Sequence, residues 1–200
     1  MKNLFLLALT VIVLGCSSNT EIALNTGAIS DNTYKNPSIG LCMPIPAEYT
    51  TYLADEQNRA VSFDQRANQS IDIKPLKESL LLGLSGAQED ITLVAVNPYH
   101  AGGSSVEDIK QYRLNKTREI VKKFKLKVTS SKVTTEEING RTFHRFFAEY
   151  GIPERNYKEY GFYIFTQYKD IVLLFEESSR VPIEDTVMLE MVSKADFSCQ

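Results

Sequence analysis

The sequence has no tryptophan, two histidines and three cysteines among its 200 residues. Chemistry based on histidine therefore has two candidates, and the cysteines cannot by themselves supply the ligands of a structural zinc site. The sequence contains no phosphate-binding loop, HExxH motif or CxxC motif. These absences exclude the motif-bearing classes of nucleotide-binding, metalloprotease and thiol-redox proteins, and we expect no cofactor.

The composition is that of one globular domain. It is 43% hydrophobic and 24% charged, without repeats or low-complexity tracts. A chain of this length can bury a sizeable core without help from disulfides or metals. Lysine and arginine number 22 against 25 acidic residues, a formal charge of −3. This balance argues against a general nucleic-acid binder.

The N-terminal segment has the pattern of an export signal. Lys2 precedes the apolar run at residues 4–14, which ends in Leu14-Gly15-Cys16. The run is shorter than the roughly 20 residues that cross a bilayer as a helix. It resembles the bacterial lipoprotein signal, in which a peptidase cuts before a cysteine that is joined to diacylglycerol. The alternative is a plain secretory signal in which the cysteine is incidental.

The lipoprotein resemblance implies an acylated Cys16, with palmitate-type chains that hold the protein on a membrane. Residues 1–15 would be the signal peptide, residues 16–36 a lipidated cysteine with a flexible Ser-, Asn- and Thr-rich tether, and residues 37–200 one globular domain. We expect the protein in the bacterial cell envelope, facing the periplasm. Ser17, in place of the aspartate that retains such proteins at the inner membrane in enterobacteria, favours the outer membrane.

Lipidation of Cys16 would leave Cys42 and Cys199 as a pair in an oxidising compartment. We therefore predict a disulfide between them, which would fasten both ends of the domain. The alternative is two free, buried thiols.

The body of the chain alternates strand and helix signals. Asn139-Gly140 is typical of a hairpin turn, and both alternating registers of the later strands are apolar, which predicts a sheet buried on both faces. The predicted strands are 39–46, 62–64, 71–73, 80–84, 91–96, 127–138, 141–151, 157–168 and 171–177, and the predicted helices are 106–124 and 182–195.

This order of elements resembles the PsbP-like sandwich family, which includes an extrinsic subunit of photosystem II, a Ran-binding import factor and bacterial envelope lipoproteins, some called DcrB-like. The resemblance spans about residues 37–198, through the Asn139-Gly140 hairpin, the long aromatic strands and the closing helix that ends in SKADF. Many members carry a tryptophan after the first-strand proline, and here Tyr49 or Tyr52 would fill its space. The resemblance implies an α/β (α+β) fold, with an antiparallel sheet sandwiched between helices, in an accessory or binding protein rather than an enzyme.

One loop has the features of an anion or ligand site. His100, Ser104 and Ser105 lie in a glycine-containing segment just before the predicted helix, where free backbone N–H groups and the helix dipole favour anions. The alternative is that the serines cap the helix. We expect no catalytic residue. Ser85 lies in a segment similar to the nucleophile elbow of hydrolases, but Ala87 occupies a position where that motif requires a glycine.

The most suggestive surface is electrostatic. Eight basic residues and one acid lie between positions 110 and 127: Lys110, Arg113, Lys116, Arg118, Lys122, Lys123, Lys125 and Lys127, with Glu119. Such a segment could meet anionic lipid, lipopolysaccharide or an acidic envelope protein; the alternative is a solvated helix face. The predicted function is therefore a membrane-anchored envelope lipoprotein acting as an accessory or protein-interaction module. The alternative function is a periplasmic binding protein for a small ligand or anion.

Overall fold

The computed structural model describes residues 26–53, 78–122, 124–183 and 186–199, without the side chains of Tyr99 and His100. The predicted signal peptide, Cys16, the strands expected at 62–64 and 71–73, and Lys123 lie outside the described residues.

The described part is built mainly of antiparallel strands in two sheets. The smaller sheet has the order β1-β2-β3, and the larger has the order β4-β5-β6-β11-β10-β9-β7, with β8 also pairing with β9. The strands are β1 (Ala28–Ser30), β2 (Thr33–Asn36), β3 (Leu41–Pro44), β4 (Thr50–Leu53), β5 (Glu78–Ser85), β6 (Glu89–Val96), β7 (Lys127–Ser130), β8 (Thr134–Ile138), β9 (Arg141–Ile152), β10 (Tyr157–Tyr168) and β11 (Ile171–Ser179). The helices are α1 (Pro98–Ala101), α2 (Val106–Ile120) and α3 (Val187–Ser193), with a 3-10 turn at Pro153–Arg155.

Local turn chemistry sets the hairpins of the large sheet. Asn139 and Gly140 adopt φ values of 51° and 71°, which suits a two-residue hairpin turn and pairs Ile138 with Arg141. The predicted hairpin is confirmed. The strand expected at 127–138 is instead two strands, because Ser131 interrupts the ladder: its hydroxyl oxygen accepts the N–H of Phe147 at 3.0 Å.

Both faces of the large sheet are buried, as predicted. On one face Ile164, Leu173 and Phe175 pack with residues of β3 and α3. On the other face Phe146, Tyr163 and Phe165 pack under α2, which contributes Ile109 and Leu114. Helix α3 shares its face with the small sheet. The fold is therefore more β-rich than the predicted arrangement of one sheet between helices.

The flexible tether predicted to reach residue 36 is wrong for its second half. Residues 28–36 form β1 and β2, joined at Asp31 and Asn32 with φ values of 51° and 53°. Tyr34 is fully buried, and its hydroxyl donates to the carbonyl of Thr26 at 3.0 Å. Asn36 is also buried and donates to the Tyr34 hydroxyl at 2.9 Å. The folded domain therefore begins about ten residues earlier than residue 37.

The C-terminal segment pairs with the small sheet. Cys42 and Asp196 exchange two backbone hydrogen bonds of 2.8 Å, and the Cys199 N–H donates to the carbonyl of Gly40 at 3.1 Å. Cys42 and Cys199 form a disulfide, with their Cα atoms 5.5 Å apart. The predicted disulfide is confirmed, and it links the first part of the domain to its last described residue.

Candidate interaction surfaces

The loop before α2 is organised as a helix cap. The Ser105 hydroxyl accepts the N–H of Asp108 at 3.1 Å, and the Asp108 carboxylate accepts the N–H of Ser105 at 3.2 Å. This reciprocal capping box satisfies two of the free N–H groups at the helix start. The anion-site interpretation is therefore wrong for Ser105, because its hydroxyl is hydrogen-bonded to Asp108 and the Asp108 carboxylate already supplies a negative charge at this position. Ser104 is exposed, and the His100 side chain lies outside the described residues.

Three of the eight predicted surface cations face the sheet instead. Lys110 is buried, and its ammonium donates to the carbonyl of Ser131 at 2.8 Å. The Arg113 Nε lies 2.6 Å from Glu176 Oε1, and the Lys116 ammonium pairs with Glu78. The prediction that all eight form one basic interaction surface is wrong for these three, because the carbonyl of Ser131 binds Lys110 and carboxylates on β11 and β5 bind Arg113 and Lys116 under the inner side of α2.

The Arg113 ion pair belongs to a polar network between helix and sheet. Burial alone would lower the pKa of Arg113, but the Glu176 carboxylate raises it above its ordinary range. The Arg113 guanidinium lies 5.5 Å from the centre of the Tyr163 ring, and the Tyr163 and Tyr150 hydroxyls are 2.9 Å apart. Burial raises the pKa of Tyr163. The network therefore keeps a cation charged and a phenol neutral beneath α2, which fixes the helix on this face.

The remaining described cations near α2 are exposed. Arg118, Lys122, Lys125 and Lys127 all have exposed side chains. Lys127 belongs to the opposite sheet face, because the next residue of β7, Val128, packs toward α2 and side chains alternate along a strand.

A further cation comes from the turn between β9 and β10. The Arg155 guanidinium lies 4.3 Å from the centre of the Phe124 ring, just beyond the end of α2. Sequence reasoning missed Arg155, since it lies far along the chain and no local pattern links it to the helix. Ile120, the last residue of α2, is 70% exposed in the same region. We call Arg118, Ile120, Lys122, Lys125 and Arg155 the basic tip.

Two open grooves lie elsewhere on the domain. The first has a volume of about 450 Å³, and its lining includes Glu89, Asp90 and Glu159. The lining also includes Tyr157 and Arg180, whose guanidinium lies 5.3 Å from the centre of the Tyr157 ring. Within the described residues, no cluster of three or more His, Cys, Asp or Glu side chains is placed to hold a metal ion. The first groove is therefore polar, with charges of both signs.

The second groove, of about 290 Å³, is more apolar. It is lined by residues that include Phe147, Tyr160, Pro182 and Ile183. Phe147 is 42% exposed, and its ring centre lies 4.6 Å from that of the buried Phe162. The second groove thus presents a firmly supported aromatic side chain to solvent.

A buried carboxyl lies on β11, next to the residues of that strand that line the first groove. Glu177 is 3% exposed, and its Oε2 accepts the N–H of Met188 at 3.2 Å. Burial, with a further contribution from the charge of Glu89, raises the pKa of Glu177 to about 7. Glu89 in turn accepts a hydrogen bond from the Tyr49 hydroxyl. This group changes its charge near neutral pH inside the core.

The comparisons with known proteins bear on the fold alone. No family model and no curated protein matches the sequence. Among solved structures, the chain is similar to the solution structure of cyanobacterial PsbP (CyanoP) from Synechocystis sp. PCC 6803. The TM-score is 0.53 at 10% identity, over 84% of this chain and 95% of that chain. The chain has a PsbP-like fold.

Within this PsbP-like fold the predicted tyrosines take separate positions. Tyr49 is buried in the core beside α3, and the ring of Tyr52 lies against Gly83, where a Cβ would overlap it. No described helix is long and apolar enough to cross a membrane.

Proposed function

We propose that this protein is a membrane-anchored lipoprotein of the bacterial envelope whose PsbP-like domain is an accessory or protein-interaction module and not an enzyme. The observation that carries the proposal is the apolar run that ends at Cys16. Only the nine residues 17–25 separate that cysteine from the described domain. Even fully extended, a segment of that length spans at most about 35 Å. An anchored domain would therefore stay close to the lipid surface, on the periplasmic side, with the outer membrane favoured by Ser17.

The second groove supports the interaction role. Aromatic residues are enriched at protein interfaces, and a single exposed ring in a groove is the type of anchor that dominates binding energy. Phe147 has this position, because Phe162 supports one side of its ring while 42% of the residue stays exposed. A protein partner is therefore expected to cover the second groove.

The anchor is tested by metabolic labelling of the full chain with a palmitate analogue. We expect label in the parent and none in Cys16→Ser. Equal labelling of both, or none in the parent, would remove the lipoprotein assignment.

The interaction role is tested by replacing Phe147 with a photoreactive phenylalanine analogue in cells. The same analogue at Gln111, an exposed residue of α2, is the matched control. We expect one recurrent envelope protein crosslinked at 147 and not at 111. Identical products at both positions would contradict a docking role for the second groove.

A second candidate function is small-ligand binding in the periplasm. The first groove favours it, because its volume of about 450 Å³ suits a small molecule and the exposed Arg180 lies over Tyr157 on one wall. A ligand that binds only the folded state raises the melting temperature. A panel of small polar metabolites should then contain a compound that stabilises the parent and not Arg180→Ala. No stabilisation by any of them would contradict this candidate.

A further inference from the structure

The basic tip combines an exposed apolar side chain with cations that form no ion pair among the described residues. Ile120 is 70% exposed, and the described residues contain only two other exposed large apolar side chains, Phe147 and Val181. Ile120 lies between two exposed cations of the chain, Arg118 and Lys122, whereas Val181 has one such neighbour, Arg180, and Phe147 has none.

The cations of the tip are free of carboxylate partners within the described part of the chain. The inward cations Arg113 and Lys116 form ion pairs, whereas Arg118 bonds the neutral side chain of Asn115 at 2.7 Å. A role at the helix C-terminus would explain Arg118 and Lys122, whose charges complement the dipole. It does not explain Arg155, which comes from another element, or the exposure of Ile120.

The tip is held in shape by the chain that follows α2. Phe124 donates its N–H to the carbonyl of Val121 at 2.9 Å, and Leu126 donates to the carbonyl of Phe124 at 2.9 Å. Leu126 packs against the core under α2, and Arg155 covers the Phe124 ring. A partner would therefore meet a preformed surface and would lose little free energy in ordering it.

The chemistry of this surface fits a membrane better than a protein. Protein interfaces bury about 800 Å² on each partner, and lysine is depleted from them. One projecting isoleucine and four cations, with the exposed Glu119 beside them, form too small a surface for such an interface. It suits the headgroup region of an anionic bilayer, where each basic residue contributes about 1 kcal/mol and an apolar side chain enters the boundary with the acyl chains.

We infer that the basic tip is a second membrane contact, at which Ile120 enters an anionic lipid surface while Arg118, Lys122, Lys125 and Arg155 bind headgroup phosphates. The inference rests on the proposed anchoring, which keeps the tip near lipid. The anchor and the tip together would fix one orientation of the domain, leaving the second groove available for a protein.

The absence of tryptophan makes the test direct. Ile120→Trp places a single environment-sensitive fluorophore at the tip of the full-length lipidated protein. Val181→Trp is the matched control, because Val181 is also an exposed apolar residue, at 45%, but lies outside the tip. Both proteins are reconstituted in vesicles of phosphatidylcholine alone and of phosphatidylcholine with phosphatidylglycerol. Emission wavelength and quenching by bromine-labelled acyl chains are measured.

We expect a blue shift and quenching for Trp at 120 in anionic vesicles only, and neither for Trp at 181. Adding Lys122→Glu and Lys125→Glu should reduce the docking equilibrium of the tip at least about 25-fold, since each contact is worth about fivefold. Water-exposed emission from position 120 in anionic vesicles would overturn the inference and favour an acidic protein as the partner.

A protein that is not lipidated at Cys16 gives a different result from a protein whose tip does not bind lipid. A chain without lipid at Cys16 would not float with vesicles of pure phosphatidylcholine. Its Trp at 120 would still shift when anionic vesicles are added, because the tip binds them independently. The proposed function and the membrane contact can therefore fail separately.

Discussion

Replacing Glu177 with glutamine should make the stability of this domain less dependent on pH. The carboxyl group is 3% exposed and accepts the N–H of Met188 at the start of α3. Its environment raises its pKa from 4.5 to about 7, because burial disfavours the charged form and the carboxylate of Glu89 adds repulsion. Glutamine keeps an oxygen acceptor for Met188 and cannot ionise.

The direction follows from proton linkage. Below pH 4.5 both the folded and the unfolded states hold the proton, so the favourable neutral form is fully present. As pH rises, the unfolded chain loses its proton first, and the folded state becomes relatively less stable until Glu177 itself ionises near pH 7. The difference between the two pKa values corresponds to a loss of about 3 kcal/mol in the free energy of unfolding. About 2 kcal/mol of this loss should fall between pH 5 and pH 8.

The assay is urea denaturation of the oxidised protein at pH 5 and pH 8. We expect the free energy of unfolding of Glu177→Gln to exceed that of the parent by about 2 kcal/mol more at pH 8 than at pH 5. The matched control is Glu119→Gln, which removes the same charge from an exposed position on α2. Surface changes of this kind usually alter stability by about 0.5 kcal/mol or less. An equal effect of Glu177→Gln at both pH values would refute the reasoning.

Three further changes test the packing of the domain in urea denaturation. Cys199→Ser opens a disulfide that spans 157 residues and should lower the free energy of unfolding by about 2–5 kcal/mol, a loss that reductant reproduces in the parent. Arg113→Met leaves Glu176 without its cation and should cost about 3–5 kcal/mol, whereas adding Glu176→Leu should restore much of the loss. Tyr34→Ala removes a fully buried ring and should lower the free energy of unfolding by about 3–5 kcal/mol. A loss below about 1 kcal/mol would indicate that residues 26–36 belong to the flexible tether and not to the folded domain.

The elements that could be predicted from the sequence are those specified by neighbouring residues. Asn139-Gly140 encodes its own turn, because both residues tolerate positive φ, and the apolar strands on each side pair without further information. Strand β6 was evident from its continuous apolar run, which suits burial on both faces. The disulfide followed from counting cysteines once Cys16 was assigned to lipid.

The features that could not be predicted depend on distant partners. The polar segment at residues 28–36 forms β1 and β2 because Tyr34 is buried and its hydroxyl is hydrogen-bonded to Thr26 and Asn36. The ion pair of Arg113 depends on Glu176, which is far along the chain and whose side of the sheet is set only by the register of β11. The place of Arg155 in the basic tip could not be predicted for the same reason, since only folding brings it next to Phe124.

The path of α2 over the sheet explains both sets of cations. Along the helix, Lys116 reaches Glu78 on β5 and Arg113 reaches Glu176 on β11. Arg113 and Lys116 therefore lie over strands whose carboxylates neutralise their charges. Helix residues after Thr117 extend past these partners, so Ile120, on the inner stripe of the helix, projects into solvent. The same helix that buries one group of charges thus exposes the next, and a charge run in the sequence overstates the folded basic surface.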